Sequence, residues 1–178
     1  MRLRCSVPES LLISLPRSTA SRAGNLRTPS GSPSAPRPDT TWHTLTGCPE
    51  LFLDRSLGRR QVPDLLRAAG LRLRTLAEVY GIPADENVED VDWLTRAGQE
   101  GWAVLMKDER IRYRPAERAA VITHHVRAFC LTSGNLRAAA MAHQYLAVLP
   151  DITEVCQQPG PFLYTVSSTG LRQVDLTC

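Results

Sequence analysis

From about Glu50 onward, short apolar runs alternate with longer stretches in which apolar residues recur at helical spacing. Leu51-Phe52-Leu53 is a compact apolar run of strand type, and Asp54 follows it directly. Val62, Leu65, Leu66 and Ala69 mark a helix, with Pro63 tolerated in its first turn and Gly70 closing it. Leu71 to Leu76 alternates between apolar and polar residues, the period of a second strand. A loop from Gly81 to Glu89 leads to Asp90, the expected N-cap of a helix carried by Trp93, Leu94 and Ala97. Gly98 weakens that helix and Gly101 ends it. Trp102-Ala103-Val104-Leu105-Met106 is too short and too continuously apolar for a surface helix, so it reads as a buried strand. Lys107-Asp108 then places a second carboxylate just past a strand's carboxyl end.

Pro115 opens a further helix through Glu117, Ala120 and Ile122, and Val126 to Leu131 is a fourth strand. Ser133 is the expected cap of the next helix, marked by Leu136, Ala140 and Leu146. Pro150 is expected to break it, with one more turn from Ile152 to Cys156. Phe162 to Val166, Ser168-Thr169-Gly170 and Leu171 to Leu176 form a hairpin pattern. Strands alternating with helices, followed by a hairpin, predict a three-layer α/β fold with a mainly parallel sheet.

Residues 1–47 have a different composition, rich in Ser, Pro, Thr and Arg and nearly free of acids. No apolar period is sustained there, so the segment is expected to be a disordered tail or an extension from a start codon placed too early. An Arg- and Ser-rich leader also resembles a transit peptide, but its prolines oppose the amphipathic helix such peptides form. The domain is therefore expected over residues 48–178. The formal net charge of +3 does not by itself imply a nucleic-acid or membrane partner. The five cysteines have no metal-binding spacing and read as reduced thiols of a cytoplasmic protein. No run is long and apolar enough to cross a bilayer.

The chemistry is expected from Asp54, Asp90 and Asp108, two at strand ends and one at a helix start. Ligands gather at that edge of an open parallel sheet. Converging carboxylates suit hard cations such as Mg²⁺ or Mn²⁺, which can orient and activate water against a phosphodiester. Each acid also has a plainer reading: Asp90 as an ordinary cap, and Asp108 as a loop acid paired with Arg110 or Arg112. Asp92 and Glu109 stand close enough to exchange roles with them. Arg55, Arg59, Arg60, Lys107, Arg110, Arg112 and Arg114 flank the acids and could follow an RNA backbone or form a solvated face. His124 and His125 are adjacent and make a poor ligand pair. Trp93 and Trp102 read as core. No nucleophile–His–acid arrangement, phosphate loop or dinucleotide fingerprint is present.

Leu51-Phe52-Leu53-Asp54, Asp90-Val91-Asp92-Trp93-Leu94, the block from Gly101 to Asp108 and Arg112-Tyr113-Arg114-Pro115-Ala116-Glu117 together resemble the PIN-like domains of the VapC toxin type. The likeness runs from about residue 50 to the C-terminus. It implies a Rossmann-like sheet and a Mg²⁺- or Mn²⁺-dependent endoribonuclease, with RNA as substrate and Asp54, Asp90 and Asp108 as metal ligands and catalytic residues. It also implies a cognate antitoxin protein and a cytoplasmic location, and homodimers are common in the family. The family's fourth acid falls on either Glu109 or Glu117, and its Ser or Thr near the fourth strand on Thr132 or Ser133. That uncertain fourth acid leaves open a catalytically degenerate module that binds RNA or a protein. A phosphoryl-transfer or signalling domain with Asp54 as acceptor is a further alternative.

Overall fold

Strand β1 (Leu51–Leu53) is buried along its whole length because both of its neighbours are strands and both of its faces carry helices. The computed structural model describes residues 47–133 and 135–176, apart from the side chain of Glu109. The tail expected over residues 1–47 lies outside the described residues except for Gly47. Helix α1 (Gln61–Ala68) leads to β2 (Leu73–Thr75), and α2 (Leu76–Tyr80) and α3 (Asp90–Glu100) lead to β3 (Ala103–Met106). Helix α4 (Pro115–Thr123) precedes β4 (Arg127–Leu131). Helices α5 (Ala138–Ala147) and α6 (Leu149–Val155) precede the hairpin of β5 (Phe162–Ser167) and β6 (Gly170–Val174).

The sheet runs β2-β1-β3-β4-β5-β6, parallel throughout except for the antiparallel β5–β6 pair. This is the expected three-layer α/β architecture. Alternation along the strands sorts the core into two layers. Leu51, Leu53, Leu105 and Phe129 pack with residues of α1, α5 and α6, whereas Phe52, Val104, Met106 and Ala128 pack with α3 and α4. Phe52 stacks on Trp93 at 5.6 Å and on Trp102 at 5.4 Å, which fixes α3 against β1. Gly98 permits close approach of α3 to the end of α4, since a Cβ there would fall 2.1 Å from the His124 carbonyl oxygen. Gly101 ends α3 in the left-handed region, at φ 68°.

Several boundaries differ from the pattern along the chain. The alternation from Leu71 to Leu76 stops being strand at Thr75, where a capping box starts α2: Glu78 N–H donates to Thr75 Oγ1 at 3.3 Å, and Thr75 N–H to Glu78 Oε2 at 2.9 Å. Asp90 is the first helical residue of α3 and not its cap; extended Glu89 holds the cap position without a side-chain bond. Ser133 does not cap α5, which begins only after extended Arg137. Pro150 sits in the first turn of α6, where its missing N–H has no helical partner to lose. Among the described residues, no helix is long and apolar enough to cross a membrane.

Candidate active site

Strand order reverses around β1: the chain moves from β1 out to β2, then returns across it to β3. In such a sheet the carboxyl ends of the two diverging strands leave a crevice between them. Asp54 follows β1 and Asp108 comes two residues after β3, so both leave the sheet at that crevice. The Asp54 backbone N–H donates to the Leu105 carbonyl at 3.1 Å, and Lys107 N–H donates to Ser56 Oγ at 2.9 Å. These bonds continue the tie between β1 and β3 past the strands themselves.

Asp54 is only 5% exposed. Its Oδ2 accepts the Ser56 N–H at 3.1 Å, while the buried Oδ1 has no hydrogen-bond partner. Burial pushes its carboxyl above the ordinary range, and the negative charge of Asp90 adds to the rise. The Ser56 hydroxyl and the Ser56 and Arg55 amides pull the other way. A buried carboxylate oxygen without a donor is costly, and the fold supplies none.

Asp90 is held from two sides. Its Oδ1 accepts the Trp93 indole N–H at 3.0 Å, and its Oδ2 lies 3.3 Å from Arg114 Nη1. Trp93 therefore has two duties, since the ring that stacks on Phe52 also orients this carboxylate. Arg55 approaches Asp90 Oδ1 at 3.8 Å and donates to the Glu86 carbonyl at 2.9 Å and to the Val88 carbonyl. Asp108 caps the 3₁₀ turn Glu109–Arg112, with Oδ1 accepting the Arg110 N–H at 2.9 Å.

Asp54, Asp90 and Asp108 line one cleft of about 570 Å³, and Glu117 joins them from the first turn of α4. Glu117 is buried and receives Arg114 Nη1 at 2.7 Å. Burial raises its carboxyl, as do the charges of Asp90 and Asp108, while Arg114 opposes the rise. Six carboxylates line the cleft (Asp54, Glu86, Glu89, Asp90, Asp108, Glu117) against three guanidiniums (Arg55, Arg110, Arg114). The cleft is thus acidic in a chain whose formal net charge is +3.

The all-oxygen donor set and the orphaned Asp54 oxygen fit a hard divalent cation. The acids do not, however, form a ready cage: among the described residues, no group of three or more His, Cys, Asp or Glu is set to hold a metal ion. Arg114 bridges Asp90 and Glu117 instead.

Asp92 is exposed and does not line the cleft, and neither does Thr132, whose hydroxyl donates to the Val166 carbonyl at 3.2 Å, nor exposed Ser133. Between the two acids weighed for fourth place, Glu117 has its side chain in the cleft, while the Glu109 side chain lies outside the described residues. Ser56, Trp93 and Arg114 carry contacts that sequence patterning did not assign to them. Only the Asp-x-Ser spacing after β1 hints at one of these, through the turn in which Asp54 accepts from Ser56.

Residues 49–133 match the model of a family described as a PIN like domain. Over 130 residues the chain is 38% identical to the protein named "Putative ribonuclease VapC45" of Mycobacterium tuberculosis (strain ATCC 25618 / H37Rv), a match that covers 73% of this chain and 94% of that protein. No solved structure matches. With the switch-point sheet and its matching span of sequence in place, the chain belongs to the PIN-like domain family, in its VapC branch.

Proposed function

We propose that this protein is a Mg²⁺- or Mn²⁺-dependent endoribonuclease, the toxin of a cytoplasmic toxin–antitoxin pair. The observation that carries the reading is Asp54: a carboxylate 5% exposed, one oxygen unpartnered, at the switch point of the sheet in a cleft with Asp90, Asp108 and Glu117. A structural role would favour pairing that oxygen, whereas a cation-binding role leaves it vacant until the ion arrives. The relative named as a ribonuclease supports the same substrate class.

In this reading Asp54, Asp90 and Asp108 hold the cation, and Glu117 stands beside it as a fourth acid open to the same ion. When bound, the ion supplies Lewis-acid polarisation of the phosphodiester and a more acidic water. The protein's own residues set up that chemistry. Trp93 and Ser56 fix the Asp90 and Asp54 carboxylates so that little reorganisation is needed. An acid-lined cleft repels a phosphate backbone, so RNA enters only once positive charge balances the acids. Arg55 and Arg110, on the cleft wall, can then meet phosphate oxygens. The cognate antitoxin is the partner expected to cover this cleft.

The test is RNA cleavage by the purified full chain with Mn²⁺, compared with Asp108→Asn, alongside thermal unfolding with and without the ion. Cleavage and a Mn²⁺-dependent rise in Tm are expected of the wild type, and neither of Asp108→Asn. Undiminished cleavage by Asp108→Asn would remove the assignment. One observation favours a second reading, a non-catalytic module that binds RNA or a protein: Arg114 already holds two of the acids, and no three form a cage. That module predicts no gain in Tm with Mn²⁺.

A further inference from the structure

A guanidinium stands in the acid cleft where a cation would be drawn. Arg114 precedes α4 in extended conformation, and its Nη1 lies 2.7 Å from Glu117 Oε1 and 3.3 Å from Asp90 Oδ2. The charge of Asp108 acts on it as well. Asp90 and Glu117 therefore share one cation of the chain's own. Asp54 is outside that arrangement, and its buried Oδ1 has no partner. Glu117 is buried and depends on Arg114 for its only ion pair among the described residues. The Arg114 side chain is 42% exposed, so it can leave the cleft for solvent without disturbing the core.

A divalent cation that takes oxygens of Asp90 and Glu117 has to do so against this guanidinium. Both cations are drawn to the same carboxylates and repel each other, so neither holds them at full strength while the other is bound. We propose, resting on the metal-dependent reading above, that Arg114 is an internal counter-ion: it occupies Asp90 and Glu117 in the metal-free protein, competes with the divalent cation for them, and so sets the cation concentration at which the site fills. Arg114 is in this sense a positioning residue for the metal-free cleft. It spares the fold an unpaired Glu117 and an under-compensated Asp90 at the cost of weaker cation binding. Arg110 provides the contrast, because it approaches Asp108 at 3.6 Å and is not paired with Asp90 or Glu117.

The experiment is calorimetric titration of the full chain with MnCl₂, without RNA, for the wild type, Arg114→Gln, Arg114→Lys and Arg110→Gln. Arg114→Gln should bind Mn²⁺ tighter than wild type on the order of tenfold. Arg114→Lys keeps a charge but loses the planar fork, so it should fall between the two and serves if Arg114→Gln fails to fold. Arg110→Gln should tighten binding much less than Arg114→Gln. In thermal unfolding, metal-free Arg114→Gln should melt below the wild type, and the gap should close at saturating Mn²⁺. Unchanged or weaker Mn²⁺ binding on loss of Arg114 overturns the proposal while sparing the nuclease reading. So does an equal gain in Arg110→Gln, which would show that removing any positive charge from the cleft suffices. Absence of Mn²⁺ binding in all four proteins removes the nuclease reading and this proposal with it.

Discussion

Two corners of the molecule bury an aspartate to nearly the same depth and treat it in opposite ways. Asp85, in the 3₁₀ turn Ala84–Asn87, is 3% exposed, and Asp54 is 5% exposed. Both Asp85 oxygens face Arg59 Nη2, Oδ1 at 3.1 Å and Oδ2 at 3.0 Å, and the same guanidinium reaches Glu86 at 2.8 Å. Asp54 accepts the Ser56 amide on one oxygen, its other oxygen has no hydrogen-bond partner among the described residues, and the like charge of Asp90 is nearby. On the proposed metal-dependent reading, the difference is one of purpose. Asp85 pins a loop, and a buried acid that serves only the fold takes a permanent partner. Asp54 keeps an unpartnered oxygen that costs stability, which that reading explains as a group kept for a ligand.

The sharpest way to break this comparison is to replace each aspartate with asparagine. Asp54→Asn should lower Mn²⁺-dependent RNA cleavage by at least about a hundredfold, since even residues that only support metal ligands are worth up to that much. Asp85→Asn should leave the rate constant nearly unchanged once the protein is folded. Single-turnover cleavage of a labelled RNA reads both. Comparable losses in the two variants would show that the unpartnered oxygen of Asp54 has no special meaning.

Stability should respond in the reverse direction. In the metal-free protein, Asp54→Asn removes a desolvated charge and should raise Tm by roughly 3 °C for each kcal/mol relieved. Asp85→Asn should lower Tm by a few degrees, because Arg59 loses its buried anchor. The pH dependence follows from the sign of the shifts. The Asp54 and Glu117 carboxyls are raised above their ordinary values of 3.8 and 4.5, Asp54 by burial first and then by Asp90, and Glu117 by burial first and then by Asp90 and Asp108. The folded state therefore binds protons where the unfolded chain has already released them. Their contribution is fully present below the ordinary values and is lost as pH rises through the raised ones. Metal-free wild type should thus lose stability relative to Asp54→Asn as pH rises above the ordinary value of 3.8, measured by thermal unfolding in chelator. A constant difference across that rise would contradict the burial argument.

Much of this corner was legible from the chain alone, for reasons of period. A parallel strand buried on both faces has to be a continuous apolar run, so Leu51 to Leu53 and Trp102 to Met106 stood out, and the acids behind them could be placed at one edge of the sheet. The contacts that finish the cleft were not legible, because they depend on how α3 and α4 pack. Glu117 reaches the cleft through the packing of α4 beside α3, which no local pattern encodes. Trp93 looked like core, and it is core, but its indole N–H also serves Asp90. The expectation that Asp90 caps α3 failed by one residue, as helix ends commonly do, and with a consequence: a first-turn carboxylate is free to face Trp93 and Arg114, whereas a capping one would turn back to its own backbone. The expected cap at Ser133 failed for a simpler reason, since α5 starts five residues later at Ala138.

The smallest effect tests what holds the vacancy in place. Ser56 is to Asp54 what Arg59 is to Asp85, but it offers a neutral donor where Arg59 offers a charge. Its hydroxyl also accepts the Lys107 N–H at 2.9 Å, joining the ends of β1 and β3. Ser56→Ala keeps the backbone N–H that donates to Asp54 Oδ2 and removes the hydroxyl. The lost bond to Lys107 should cost about 1 kcal/mol in denaturant unfolding, the usual net worth of one hydrogen bond. The same hydroxyl is the largest influence opposing the rise of the Asp54 carboxyl, so its removal should push that carboxyl higher still. Mn²⁺ binding requires the ionised form and should therefore shift to higher pH in Ser56→Ala, with affinity recovering once Asp54 is fully ionised. An affinity lowered equally at every pH would instead mean that Ser56 sets the direction in which Asp54 points and leaves its charge alone.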